Sequence, residues 1–270
     1  MKLQNIKDHL LHTYKVAHDA GAAPQPGFGI CTLAICKPAI RRCAQIGDII
    51  VGFGCRSDSN RIVYCMQVDE ILTWPQYVAR CKTDAALNGK IPKNENDAGD
   101  CIWLEERSES YEPLPSWSGH NSDDFQQDVL KGKNVLLAKK FWYFGKGDKY
   151  DVRLPKELAT IIPNRGHQNR KNEDCKEPFI RFFNTLLNER HIAPGKQGTS
   201  AFPPTAKDRN ATRSAAADGL RSCLNRQPCP AGKPSSPGWF AIKTGAEKGP
   251  RTAVTSEIKA GCSIKSGAKK

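Results

Sequence analysis

A chain of 270 residues is long enough for one large domain or two small ones. Its net charge of +13 is uneven, because from Lys207 onward 13 Lys and Arg face 4 Asp and Glu, a local excess of +9. No run approaches the roughly 18 apolar residues of a membrane span, the opening MKLQNIKDHLLHTYKV lacks a signal-peptide core, and 11 Cys without repeated spacing do not form a secreted disulfide framework, so the expectation is a reduced, cytoplasmic protein.

Residues 5–14 are weakly amphipathic and lead into a short first strand over 14–17, ended by His18-Asp19. The loop GAAPQPGFG, residues 21–29, excludes regular structure, since Gly and Pro alternate through it. An apolar segment over 31–36 follows. Lys37-Pro38 then opens a short basic helix over 39–46, Pro fitting a first turn where its missing N–H costs nothing. Gly47 can take the left-handed conformation that ends a helix, Asp48 suits the turn, and 49–53 reads as a strand. After a polar turn over 55–60, the alternation in RIVYCMQVDEIL predicts a long second strand over 61–72, forming a hairpin with the first.

Residues 74–87 read as a helix with Thr73 as N-cap and Pro75 in the first turn. A loop over 88–100 and a short strand over 101–104 precede an acidic, Ser- and Pro-rich loop, 105–124, placed to lie over a pocket. Residues 133–144 have strand propensity at both ends and lead to a turn over 145–147; a short helix runs from Leu154-Pro155 to 162. A basic loop over 164–171 precedes an amphipathic helix over 177–190. Beyond residue 202 no periodicity survives, and the composition predicts a disordered basic tail over 203–270 behind a domain of residues 1–202. Short strands interleaved with short helices point to an α+β fold, a strongly bent mixed sheet or small barrel with flanking helices.

Several side chains are candidates for chemistry. Lys37, Arg41 and Arg42 cluster near a helix start and a turn, suited to phosphate; a solvated basic helix face is the structural alternative. Arg165, Gly166 and His167 offer a planar cation, a close backbone approach and a group that titrates near neutrality, or simply an exposed loop. Cys31 and Cys36, with His18 and Asp19 upstream, lack a second Cys/His pair at finger spacing and read as buried thiols, so no metal is assigned. A Cys nucleophile with His18 or His167 as its base is a further reading. Of the aromatic run 141–144, one face must be core, leaving Trp142 and Phe144 as the candidates for base stacking. Asp19 and Asp48 join His167 as candidate acid–base groups, although Asp48, like Asp100, follows a Gly and suits a turn. No phosphate loop, dinucleotide fingerprint or methyl-donor loop occurs, which speaks against ATP, NAD and ordinary methyltransferase chemistry.

The stretch YKVAHDAGAAPQPGFGICTLAICKPAIRRCAQIGDIIVGFG resembles the second of the nucleotide modification-associated domain families. Its matching features are His18-Asp19, the 21–26 loop, Cys31-Thr32-Leu33-Ala34, Cys36-Lys37-Pro38, Ile40-Arg41-Arg42 and Gly47-Asp48. Residues 61–68, Gly99-Asp100, 139–145 and Arg165-Gly166-His167 resemble the later blocks. The likeness covers about residues 14 to 200; Ala22, Cys101 and Trp103 depart from it, and the tail lies outside it. The resemblance implies binding of a nucleotide or modified nucleic acid in a DNA base-modification setting, with no membrane partner and no named cofactor. An enzyme acting on a modified nucleotide by acid–base chemistry is the alternative, and non-specific nucleic-acid binding through the basic tail a second. The order helix, Gly-Asp turn, strand, turn, strand also resembles barrels of the PUA, ASCH and EVE kind.

Overall fold

The computed structural model describes residues 2–5, 7–17, 19–104, 112–145 and 150–199, so His18 and the predicted tail lie outside the described residues. The sequence has the local chemistry for its elements, but one pairing decides how they are arranged. β1 (Leu11–Lys15) and β3 (Ile49–Phe53) run parallel, in register from Leu11 opposite Ile49 to Lys15 opposite Phe53. Parallel neighbours cannot be joined by a tight turn. The chain between them therefore crosses over, carrying the Gly/Pro loop, β2 (Cys31–Leu33) and α1 (Pro38–Cys43) with it.

β3 returns through a 3₁₀ turn, Arg56–Asp58, into β4 (Ile62–Gln67), forming the expected hairpin. The predicted strand over 61–72 does not continue unbroken. After β4 the Asp69 carboxylate accepts the main-chain N–H groups of Lys139 and Lys140, and β5 (Glu70–Thr73) leaves for a second sheet. That sheet has the order β2-β6-β5, with β6 at Asn134–Ala138; the first has the order β8-β1-β3-β4-β7-β9, with β7 at Lys140–Tyr143, β8 at His167–Gln168 and β9 at Gly195–Lys196. The fold is α+β with a six-stranded mixed sheet. The sheet is open, with β8 and β9 at its edges, so the barrel alternative is corrected. Residues 101–104 form no strand: Cys101 N–H bonds to the Lys90 carbonyl and Leu114 N–H to that of Ile102, outside any ladder.

Three apolar clusters give the layering. Ile49, Val51 and Phe53 pack with Phe179, Phe183 and Leu187 of α3 (Glu173–Glu189) on one face of the large sheet. Tyr14, Ile50, Tyr64 and Phe141 on its other face pack with Leu33 and Leu136 of the small sheet. Behind that sheet, Val135 and Leu137 meet Trp74, Tyr77 and Val78 of α2 (Trp74–Thr83). α2 starts where expected, Gln76 Oε1 accepting the Thr73 N–H at 2.9 Å. β3 is buried along its whole length because both sheet faces are covered.

The Gly/Pro loop is fixed by buried polar groups. The fully buried Lys90 ammonium donates to the carbonyls of Gln25 at 2.8 Å and Ile30 at 2.6 Å. Burial pulls its pKa down to about 8, with the Asp100 charge opposing. Asp100 accepts Tyr77 OH at 2.7 Å and Thr32 Oγ1 at 2.5 Å, so the loop, β2 and α2 are tied together in the interior.

Gly52, in the middle of β3, makes room for a tyrosine. A Cβ there would stand 2.4 Å from the Tyr64 ring, whose hydroxyl lies 2.8 Å from that of Tyr14. Gly52→Ala is expected to cost about 1–3 kcal/mol by overpacking, read as a lower urea midpoint. An unchanged midpoint would show that the ring can swing aside.

Candidate active site

Between β2 and α1 the backbone makes a sharp turn that only special residues tolerate well. Cys36 has φ +58° and Lys37 φ +44°, two consecutive non-glycine residues in the left-handed region. Each such residue stores about 1–3 kcal/mol of strain unless its surroundings hold it. Here they do: Cys36 N–H donates to Asp128 Oδ1 at 2.7 Å, and the Cys36 carbonyl accepts Arg41 Nε–H at 2.7 Å. Pro38 then starts α1 with no N–H to satisfy.

The half-buried Cys36 thiol stands on this turn, with its Sγ 3.3 Å from His120 Nε2. His120 Nδ1 in turn donates to Asp128 Oδ2 at 2.6 Å. The His120 side chain is 12% exposed and that of Asp128 fully buried. A thiol, an imidazole and a buried carboxylate in line form the arrangement in which a base activates a nucleophile and a third group orients the base. Burial would push the His120 pKa down, but hydrogen bonds with Asp128 and Cys36 outweigh it and raise the value to about 10. A value that high favours the imidazolium, with a proton on each nitrogen, at neutral pH.

Asp128 lies in a π-helical segment, Gln126–Lys131, a form that leaves carbonyls free and recurs at functional sites. Its carboxylate also accepts Trp103 Nε1–H at 3.2 Å, and its freed carbonyl accepts Trp74 Nε1–H at 3.1 Å and Arg41 Nη2 at 2.6 Å.

Arg41 does not reach out for phosphate. It is fully buried, and besides the Cys36 and Asp128 carbonyls it donates to that of Asn134 at 2.8 Å. Gly132 has no side chain where its guanidinium lies; a Cβ there would come within 2.1 Å of Nη2. Trp142 and Phe144 are likewise buried, both edge-on to Phe183 of α3, with ring centroids 5.4 and 6.2 Å away. Phe141 and Tyr143 point into the other cluster. Both faces of β7 are core, so neither candidate ring is open to a base.

Asp48 is a clamp. It accepts Leu10 N–H at 2.8 Å, Gln45 N–H at 2.9 Å and His12 Nε2 at 2.9 Å, with His9 Nδ1 at 3.3 Å. Burial would raise its pKa, but these donors lower it overall. Asp19 is buried and accepts Tyr143 OH at 2.6 Å. Arg42 is exposed, 3.4 Å from the Lys131 carbonyl. Lys37 is half-buried, its ammonium 4.9 Å above the Tyr14 ring. Arg165, Gly166 and His167 are exposed on the loop of β8, whose His167 pairs across from Tyr14. Partial burial and the nearby His12 lower the His167 pKa.

His120 and Asp128 are thus the partners of Cys36 that the sequence did not expose. His120 lies in the loop expected over a pocket, and Cys36 in the first block of the family resemblance, but no spacing rule joins positions 36, 120 and 128. The family model described as nucleotide modification associated domain 2 matches residues 9–201, a span that includes all three. No curated protein and no solved structure matches the chain.

Two consequences are measurable. Removing the Arg41 guanidinium leaves three carbonyls and a buried carboxylate short of a partner, so Arg41→Met is expected to lose about 3–5 kcal/mol in urea unfolding; a loss below about 1 kcal/mol would mean water replaces it. The raised His120 pKa stabilises the fold fully below the unfolded value, about 6.5, and ever less as pH rises through about 10. The melting temperature of the wild type should therefore exceed that of His120→Gln near pH 6, and the gap should close by about pH 10.5. A gap constant across that range would show that His120 is not protonated in the fold.

Proposed function

The chain belongs to the nucleotide modification associated domain 2 family, and from that premise we propose that it is an enzyme whose Cys36 thiolate attacks a carbonyl-type carbon on a modified nucleotide. The observation that carries this reading is the line from Cys36 Sγ through His120 to the buried Asp128, at 3.3 and 2.6 Å. A half-buried thiol aligned on an imidazole, on a turn held in the left-handed region, is an arrangement that nucleophilic catalysis uses and ligand binding does not require.

The chemistry follows from the alignment of sulfur, imidazole and carboxylate. The thiolate, not the thiol, is the nucleophile, and an adjacent histidine is the usual activator. Sulfur attacks the carbon and a C–S bond forms. As the C–N or C–O bond to the leaving group breaks, His120 Nε2 gives that group its proton. His120, now neutral, takes a proton from an incoming water, whose oxygen attacks the same carbon and releases the Cys36 sulfur. Asp128 accepts from Nδ1 throughout, fixing the ring's orientation and tautomer. A protonated acid matters most for a poor leaving group such as an amine, which favours an amide-type bond. The acid–base role foreseen for His167, Asp19 and Asp48 passes to His120 in this reading.

Cys43, exposed on α1, is a built-in reference. At pH 7 iodoacetamide should modify Cys36 at least about tenfold faster than Cys43, and His120→Gln should remove that advantage. Equal rates at the two thiols, with no effect of His120→Gln, would falsify the proposal.

A further inference from the structure

The three lysines and arginines nearest the Gly/Pro loop and the thiol have different uses. Arg41 is fully buried on three carbonyls, and Lys90 on the carbonyls of Gln25 and Ile30. Their donors are taken up inside the protein. Lys37, the residue after the nucleophile, is different. It is half-buried, and its ammonium sits 4.9 Å over the Tyr14 ring. Among the described residues it has no hydrogen-bonded acceptor and no carboxylate within ion-pair distance.

The polar groups around that ring have contacts of their own. The Tyr14 hydroxyl is engaged with that of Tyr64 at 2.8 Å, and Asp19 accepts Tyr143 OH at 2.6 Å. A ring face attracts a cation but offers no lone pair, so three strong N–H donors are left for an acceptor from outside. The left-handed backbone at both Cys36 and Lys37 is locked by Asp128 and Arg41, so the residue bearing the ammonium follows the residue bearing the sulfur on a fixed stretch of main chain.

Resting on the reading of Cys36 as nucleophile, we propose that Lys37 is the anion-binding residue of this site and takes the phosphate of the nucleotide that Cys36 attacks. The exposed Arg42 lies outside this contact; its guanidinium is directed to the Lys131 carbonyl at 3.4 Å. Lys37 thereby selects a nucleotide over the corresponding nucleoside. The rival account is purely structural: an amphipathic side chain covering an aromatic ring with its stem.

The two accounts separate in the full-length protein without knowledge of the substrate, by comparing iodoacetate, an anion, with neutral iodoacetamide at Cys36. A cation on the residue after the sulfur, within a Debye length of it, speeds the anionic reagent selectively, by about three- to tenfold at low salt. The iodoacetate-to-iodoacetamide rate ratio should fall by that factor in Lys37→Gln, recover in Lys37→Arg, and shrink in the wild type as salt rises. A ratio unchanged in Lys37→Gln overturns the proposal, because a structural lysine would not discriminate reagent charge. In the same assay 2′-deoxyadenosine 5′-monophosphate should slow alkylation of the wild type while 2′-deoxyadenosine does not. Equal protection by the two overturns the phosphate assignment. Failure of the nucleophile reading shows separately, as a wild-type iodoacetamide rate at Cys36 no greater than at Cys43.

Discussion

The residue on which the most depends is Asp128. It is a fully buried carboxylate, and a buried charge is tolerable only where it is paired and hydrogen-bonded. Its two oxygens accept from Cys36 N, His120 Nδ1 and Trp103 Nε1, with the Arg41 guanidinium 3.7 Å away. Its own carbonyl, free because the chain is π-helical there, accepts from Trp74 and Arg41. One residue therefore joins the Cys36 turn, the loop bearing His120, and the start of α2. None of these groups could move alone without stranding a polar atom in the interior, which is how a strained backbone at Cys36 and Lys37 is kept in place.

That hub needs the fold to bring its members together, and the parallel pairing of β1 with β3 does so. An antiparallel pairing would have allowed a short turn. The parallel one forces a long crossover, and the crossover places β2 against β6 in the small sheet while α1 lies beside the π-helical segment leading into β6. Cys36 comes at the end of β2 and Asp128 just ahead of β6, so the pairing of these two strands carries both ends of the triad toward one another across more than ninety residues of chain. The site is a product of topology more than of local sequence.

This explains what was legible beforehand. The strand 49–53, the Gly47-Asp48 turn before it and the Thr73 cap of α2 follow from local rules, and the structure has each of them. The predicted strand over 61–72 kept its hydrophobic alternation but hid the break at Asp69, whose carboxylate is engaged by a segment seventy residues away. Trp142 and Phe144 were read on the rule that one face of a strand is solvated, which fails when helices cover one face and a second sheet the other. Arg41 and Arg42 look identical in sequence, yet helical geometry points the first into the interior and the second to solvent. Cys36 stands inside the first block of the family resemblance; His120 stands in a segment that reads only as loop, and Asp128 in one whose sequence predicts no element.

Burial sorts charge by function here. Arg41 and Lys90 are both fully buried, and burial pulls the pKa of Arg41 down to about 10 and that of Lys90 to about 8. Only multiple acceptors keep such cations in the interior, so both are committed to holding loops and cannot also bind a ligand. His120 is less deeply placed and gains charge where they resist it, because its two nitrogens face a carboxylate and a sulfur. Lys37, half-buried against a ring, keeps its donors. The series runs from cations committed in the core, through an imidazole paired with a buried carboxylate, to a half-buried ammonium. In the reading proposed above, a positive potential that increases in availability toward the surface draws in an anionic substrate and holds it at the Cys36 turn.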